Sequence, residues 1–296
     1  MRKQQWKKDG VSIELSGIDA WLAQREATVP TLRPGCAKQI IWADQPETQT
    51  DVAVLFIHGF SATKEELRPL PDLVARDLGA NLHFTRLKGH GEDPEAFGAA
   101  TCAQWMADVA EALAIAQTIG KDVIIIGCST GCTLATIAMA QGAQVKGMVH
   151  VSPNFGLRHP VAQTLLQLPG VRHYGHLIAG RTRSFPVLND AHAAYWTTSY
   201  PISAVYTMAD AVRAAKACDI EGIKVPAFFA INPDDQVISP KAAARIMKAW
   251  GGPVTHLPLV QGADDDHMGH VMAGDVFSPN QTTPLAARIS DWARKI

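Results

Sequence analysis

The sequence predicts an α/β protein with a mostly parallel central sheet flanked by helices. Three observations carry that expectation. Apolar, β-branched runs alternate with helical periodicity along most of the chain, and continuous apolar runs of this kind suit strands buried on both faces of a parallel sheet. One run, Asp122-Val-Ile-Ile-Ile-Gly127, passes through Cys-Ser-Thr-Gly131 into a small-residue helical pattern at Cys132, Leu134, Ala135, Ile137 and Ala138. Finally, 296 residues at 47 % hydrophobic and 19 % charged content allow a sizeable core, in one large domain or two small ones.

Met1–Lys8 is basic but no apolar run follows it, so no signal peptide is expected and the chain reads as soluble and cytoplasmic. Residues 1–37 form an N-terminal extension in which Ile13–Ala27 has the pattern of a short amphipathic helix. Strands are expected at 38–43, 52–57, 81–86, 122–127, 146–152, 225–231 and 254–259. Helices are expected at 65–78, 104–119, 130–141, 203–219, 240–250 and 283–295. The apolar stretch 122–140 is long enough to suggest a membrane span. Its β-branched residues cluster in the first half, however, and Gly, Ser and Thr interrupt the middle, which suits strand, turn and helix better.

From Pro153 to about Glu221 no strand of similar quality occurs, while Pro, Gly and aromatic residues are frequent. This segment, 153–221, reads as an inserted helical cap, leaving 1–152 and 222–296 as the core. Ligands of open α/β sheets sit beyond the carboxyl ends of the strands, so Phe155, Tyr195 and Trp196 in the cap become candidates for substrate binding. Arg158, Arg172, Arg181 and Arg183 suit a solvated cap face or transient contact with an anionic lipid surface.

A net charge of −1 gives no electrostatic footprint for nucleic acid. The five cysteines (36, 102, 128, 132 and 218) form neither a disulfide framework nor a paired metal spacing, and a Cys36–Cys102 bridge stays open. No H-E-x-x-H, G-x-G-x-x-G or Walker loop is present, so neither metal nor nucleotide cofactor is expected.

The Gly127-Cys-Ser-Thr-Gly131 motif at a strand-to-helix turn is written like a nucleophile elbow, with Ser129 at the apex. By itself such a motif arises by chance about once in ten chains of this length, so its partners matter. Upstream, a second buried strand ends in His58-Gly-Phe60, where a glycine lets backbone N–H groups turn inward. The N–H groups of Phe60 and Thr130 are therefore candidate oxyanion donors, and His58 itself reads as structural. Downstream, an acid and then a base are required in that order. Asp234 and Asp235 compete for the acid after strand 225–231, with Asp235 preferred; both also suit simple turn chemistry. His267 and His270 compete for the base, with His270 preferred because it precedes the apolar run leading to the last helix. His256 lies within a strand pattern and reads as packing, and His90, between two glycines, reads as part of a turn.

His58-Gly-Phe-Ser, Arg86-Leu-Lys-Gly-His-Gly, Gly127-Cys-Ser-Thr-Gly, Asp235-Gln-Val-Ile-Ser-Pro and His270-Val resemble the α/β-hydrolase superfamily. The resemblance covers 38–152 and 222–296 and is greatest to the branch of monoacylglycerol lipases, bacterial carboxylesterases and the serine aminopeptidase-like group. It implies an α/β-hydrolase fold, favours Asp235 and His270, and implies hydrolysis of a small-molecule acyl ester through an acyl-enzyme on Ser129. Amide or peptide hydrolysis on the same triad is the alternative; a catalytically silent binding module is a third reading. Cys132 departs from the family pattern, in which a second glycine often stands there.

Overall fold

In a computed structural model, residues 13–168 and 170–296 are described. Part of the expected helix at 13–27 forms as α1 (Ile18–Ala27), while the basic segment 1–8 lies outside the described residues. The central sheet contains β1 (Gln39–Ile41), β2 (Thr50–Ile57), β3 (Asn81–Phe84), β4 (Gly120–Cys128), β5 (Gly147–Val151), β8 (Ala227–Ile231) and β9 (Val254–Pro258). Their order is β1-β3-β2-β4-β5-β8-β9, parallel except for β1, which pairs antiparallel with β3.

The period-2 alternation of side chains in β2 and β4 divides the core in two. Ala53, Leu55, Ile57, Val123 and Ile125 face one layer, where α4 (Cys102–Ile119), α5 (Thr130–Ala140) and α9 (Ser203–Lys216) pack. Val54, Phe56, Ile124 and Ile126 face the other, against α2 (Leu70–Leu78) and α11 (Pro279–Ala293). Strands buried on both faces explain why the sequence shows unbroken apolar runs. β9 is an exposed edge strand, so His256, expected to pack, is exposed.

Helix boundaries differ from expectation where proline and capping intervene. The stretch 65–78 divides into a 3₁₀ turn, Lys64–Glu66, and α2, because Pro69 has no N–H to donate and restricts the residue before it. A short helix, α3 (Pro94–Ala99), starts where the Asp93 side chain accepts the Ala96 N–H. α4 begins two residues early at a capping box formed by Thr101 and Gln104. α11 begins at Pro279, whose missing N–H costs nothing at a first helical position, and it runs through Pro284.

Between β5 and β8 lie α6 (Pro160–Gln167), α7 (Val171–Ala179), α8 (Asp190–Tyr195), α9 and an antiparallel ribbon of β6 (Thr182–Ser184) and β7 (Ser199–Pro201). The ribbon was not legible in the sequence. This insertion rests on loops beyond the carboxyl ends of the strands. Thr197 donates to the Ser61 carbonyl after β2, Arg158 to Val237 after β8, and Asn189 to Val276 after β9. Arg33 in the N-terminal extension ties to it by donating to the Trp196 carbonyl at 3.0 Å. α9 falls within the expected 153–221 segment, yet Ala204, Met208, Ala211 and Val212 pack into the main core. α10 (Pro240–Ala249) completes the β8–β9 crossover, and all five cysteines are free.

Candidate active site

Ser129 stands between β4 and α5 with φ 47° and ψ −110°, a backbone conformation that L-residues rarely hold. Such a conformation costs of order 1–3 kcal/mol and persists only where surrounding structure enforces it. Both flanking glycines are needed for that. A Cβ on Gly131 would lie 2.0 Å from the Ile57 carbonyl oxygen, and one on Gly127 would lie 2.9 Å from the Cys132 nitrogen. The helix therefore starts in direct contact with the strand ends. The Cys132 thiol donates to the Gly127 carbonyl at 3.1 Å, so this departure from the family pattern adds a buried elbow contact. The Ser129 N–H is tied to the Val151 carbonyl at 3.0 Å.

The structure brings Ser129, His270 and Asp235 together. His270 Nε2 lies 3.1 Å from Ser129 Oγ, and His270 Nδ1 lies 2.7 Å from Asp235 Oδ2. The three are 4 %, 9 % and 1 % exposed, so the hydrogen bonds are shielded from water. Asp235 Oδ1 accepts the N–H groups of Val237 and Ile238 at 2.8 and 2.9 Å, which fixes the carboxylate. Burial lowers the His270 pKa, but Asp235, with Glu66 and Asp266 adding their charge, outweighs it and holds the imidazole above its ordinary value. Asp234, the competing acid, is exposed and donates its N–H to the Asn232 side chain. His267, the competing base, points to solvent with its side chain 66 % exposed.

Residues that the sequence reading did not single out build the loops that present the acid and base. Asp266 accepts the N–H groups of His270 and Val271 at 2.9 and 2.8 Å, closing the turn that carries the imidazole. Asn232 donates to the Gly269 carbonyl at 2.9 Å and accepts from Asp234, joining the acid loop to the base loop. Ser152 donates to the His270 carbonyl. The signal for Asp266 was present as the acidic run Asp264–Asp266, but a run of carboxylates does not reveal which one turns inward.

The N–H groups of Phe60 and Thr130 have no protein partner among the described residues. The Thr130 N–H belongs to the first turn of α5, where helical N–H groups lack intrahelical acceptors and the positive end of the dipole favours negative charge. His58 is fully buried, with Nδ1 2.9 Å from the Gly59 carbonyl and Nε2 accepting the Leu87 N–H. Burial drives its pKa down to about 4, so it stays neutral. His90 is likewise buried, among His58, Phe97 and Trp105.

The cap residues expected to meet substrate are placed otherwise. Phe155 is fully buried in an apolar cluster with Ile137, Ala215 and Ala242, because the chain leaving β5 turns into the core before it reaches α6. Trp196 packs edge-on to His192 and Phe277, and Tyr195 lies against Gly35, so both anchor the insertion to the core. A cavity of about 330 Å³ is lined by Asn154, Leu157, Leu166, Met208 and Val212 among others, with none of Ser129, His270, Phe60 or Thr130 in its lining. Asn154 joins it to the elbow, donating its N–H to the Ser129 carbonyl at 3.1 Å and its side-chain amide toward Met208 Sδ at 3.2 Å. Among the described residues, no group of three or more His, Cys, Asp or Glu is placed to hold a metal ion.

The sequence model of the Alpha/beta hydrolase family matches residues 54–278. The chain belongs to that family. A thermostable monoacylglycerol lipase from Bacillus sp. (strain H-257) is 31 % identical over 101 residues, which are 34 % of this chain and 40 % of that lipase. The match thus spans less than half of the lipase's length. Among solved structures, one described as LipS and LipT, two metagenome-derived lipolytic enzymes, superposes with a TM-score of 0.73 at 20 % identity, covering 90 % of this chain and all of that one. A soluble variant of monoglyceride lipase from Saccharomyces cerevisiae gives 0.64 at 15 % identity over 88 % and 90 % of the two chains. The monoacylglycerol lipase of Paleococcus ferrophilus gives 0.61 at 15 % identity over 86 % and 97 %. At these identities the structural matches establish the α/β-hydrolase fold. No helix among the described residues is long and apolar enough to cross a membrane.

Proposed function

We propose that this protein is a serine carboxylesterase or lipase acting on short- to medium-chain acyl esters, monoacylglycerols or lysophospholipids among them. The observation that carries the reading is the unbroken chain Ser129 Oγ–His270–Asp235, at 3.1 and 2.7 Å, on a strained, glycine-flanked elbow. Ser129 attacks the ester carbonyl as His270 takes its proton. Asp235 holds the Nδ1–H tautomer and stabilises the imidazolium. The N–H groups of Phe60 and Thr130 receive the oxyanion, a contribution of about 10²–10³ in turnover per donor. His270 then protonates the leaving alcohol and activates water to release the acid from the acyl-enzyme.

The cavity that Asn154 joins to the elbow, with Leu157, Leu166, Met208 and Val212 on its walls, suits the acyl chain. Within residues 153–221, the part carrying α6, α7, α8 and the β6–β7 ribbon acts as a cap over the site, while α9 belongs to the core. The cap's outer surface exposes Val161, Leu177 and Ile178, which suits transient contact with a lipid surface. The test is a series of p-nitrophenyl esters of increasing chain length beside an aminoacyl anilide, with wild type and Ser129→Ala. The expected result is ester turnover that peaks at short to medium chains and vanishes in the alanine variant. Turnover of the anilide alone would replace the esterase reading by an amidase, and persistent turnover by Ser129→Ala would overturn the mechanism.

A further inference from the structure

Glu66 is a buried carboxyl that the triad and its supporting loops leave unexplained. It ends the 3₁₀ turn after the Phe60 loop and is 3 % exposed. No Lys or Arg among the described residues pairs with it. The cations and the other acid of its own element are engaged elsewhere: Lys64 donates to Ala37 and Gln39, and Glu65 pairs with Arg68. The groups facing Glu66 are the Gly59 N–H at 2.5 Å, the thiols of Cys128 on β4 and Cys132 on α5, and the imidazole of His270. The contact with Gly59 is so close that a Cβ there would lie 2.6 Å from Glu66 Oε1. The loop beyond His270 also leans on it, since a Cβ on Gly274 would lie 2.6 Å from the Glu66 carbonyl oxygen.

Gly59 is held at both ends: its N–H by Glu66 and its carbonyl by His58 Nδ1. The peptide joining Gly59 to Phe60 is planar and trans, so fixing the Gly59 carbonyl aims the Phe60 N–H the opposite way. Two anchors on one residue leave that N–H a single direction, as a preorganised oxyanion donor requires. We propose, on the strength of the esterase reading above, that Glu66 is a positioning residue for this reaction: it clamps the Gly59–Phe60 segment and places a buried negative charge facing the imidazolium that forms on His270. Glu66 thereby serves both halves of the transition state, the oxyanion through backbone geometry and the cation through charge. Burial pushes the carboxyl up to about 7, and the Gly59 N–H, His270 and Cys128 moderate that rise. Glu66 therefore gains its charge as pH rises through that value, and the charge favours the protonated form of His270.

The experiment follows the pH dependence of kcat/KM for a p-nitrophenyl ester in wild type, Glu66→Gln and Glu66→Ala, with circular dichroism and thermal melting as fold controls. In wild type, the acid limb of log kcat/KM has its midpoint above the ordinary imidazole value. Glu66→Gln keeps an acceptor for Gly59 but loses the charge. Its acid limb moves to lower pH, and kcat drops about tenfold while KM stays within about twofold. Glu66→Ala, which loses the acceptor as well, drops kcat by about 10². A folded Glu66→Gln enzyme with wild-type kcat and midpoint overturns the inference. Absence of ester turnover in wild type overturns the underlying esterase reading instead.

Discussion

Asp235 spends one carboxylate oxygen on His270 and the other on its own loop: Oδ2 lies 2.7 Å from His270 Nδ1, while Oδ1 accepts the Val237 and Ile238 N–H groups. The acid is thereby fixed before the imidazole is oriented. Asp235→Asn keeps an oxygen available for the two N–H groups but presents an amide to Nδ1, favouring the wrong tautomer. The expected loss in kcat is about 10³–10⁴, with thermal stability changed little. Steady-state kinetics with a p-nitrophenyl ester check this, and a loss below tenfold would contradict Asp235 as the orienting acid.

In the proposed mechanism the neutral form of His270 is the base, and Asp235, Glu66 and Asp266 favour its charged form. Activity is therefore expected to rise with pH through a midpoint above the ordinary imidazole value of about 6.5. Protonated His270 contributes stability below the unfolded-state pKa, and that contribution is lost as pH rises through the higher folded value. A pH–rate profile with its acid midpoint at or below the ordinary value would count against this electrostatic arrangement.

His150 on β5 has the opposite sign. Its ring stacks on Phe229 at 4.2 Å, both ring nitrogens lack a partner among the described residues, and burial drives its pKa down to about 3. His83 behaves similarly at about 3 and His58 at about 4. Each is neutral when folded, so the stability tied to each is present above the unfolded imidazole pKa and is lost as pH falls toward the folded value. His150→Phe is expected to flatten the fall of Tm between pH 6.5 and 4 by removing one titrating site. An unchanged slope in Tm against pH would show that His150 takes no part in acid unfolding.

Arg86 bridges two buried carboxylates, Glu26 of α1 at 2.8 Å and Glu92 at 2.7 Å. Arg86→Met leaves Glu26 without its guanidinium partner and Glu92 with only Lys88, 3.5 Å away, and breaking a buried pair this way costs about 3–5 kcal/mol. Lys121 and Asp51 form an equally short but exposed pair, and Lys121→Ala is expected to leave stability nearly unchanged, since solvent screens the pair. Urea unfolding of the two variants side by side gives the comparison, and equal losses would contradict the role of burial.

Leu177 and Ile178 on α7 are 77 % and 60 % exposed. Leu177→Asp with Ile178→Asp is expected to reduce co-sedimentation with anionic vesicles by about tenfold while leaving hydrolysis of a water-soluble ester unchanged. Vesicle binding equal to wild type would remove this face from the proposed lipid contact.

Local pattern made much of the molecule legible. Period-2 burial on both faces produced unbroken apolar strands, and Gly127 and Gly131 marked a turn whose backbone only they can flank. Chain order placed an acid after β8 and a base after β9. The choice between neighbours was harder. Asp234 and Asp235 differ by one position in the same turn, and only the folded loop shows that the second turns inward while the first meets water. Capping shifted helix starts because a side chain or a proline acts at one residue, whereas periodicity averages over several.

Tertiary structure alone decided the rest. Phe155 and Trp196 looked like pocket residues because the sequence reports aromatic character; their neighbours Ala215 and Phe277 lie 60 or more positions away, and those contacts make them core and anchor. Glu66 falls within the stretch 65–78, expected as helix, where nothing local marks it, and only the folding of β2 against β4 and the His270 loop turns it into a buried charge beneath the elbow. The sequence determined the strand–turn–helix that presents Ser129, because the backbone sterics of two glycines are local. The direction of His270, the burial of Asp235 and the clamp on Gly59 are distances between segments far apart in the chain, and only packing sets those distances.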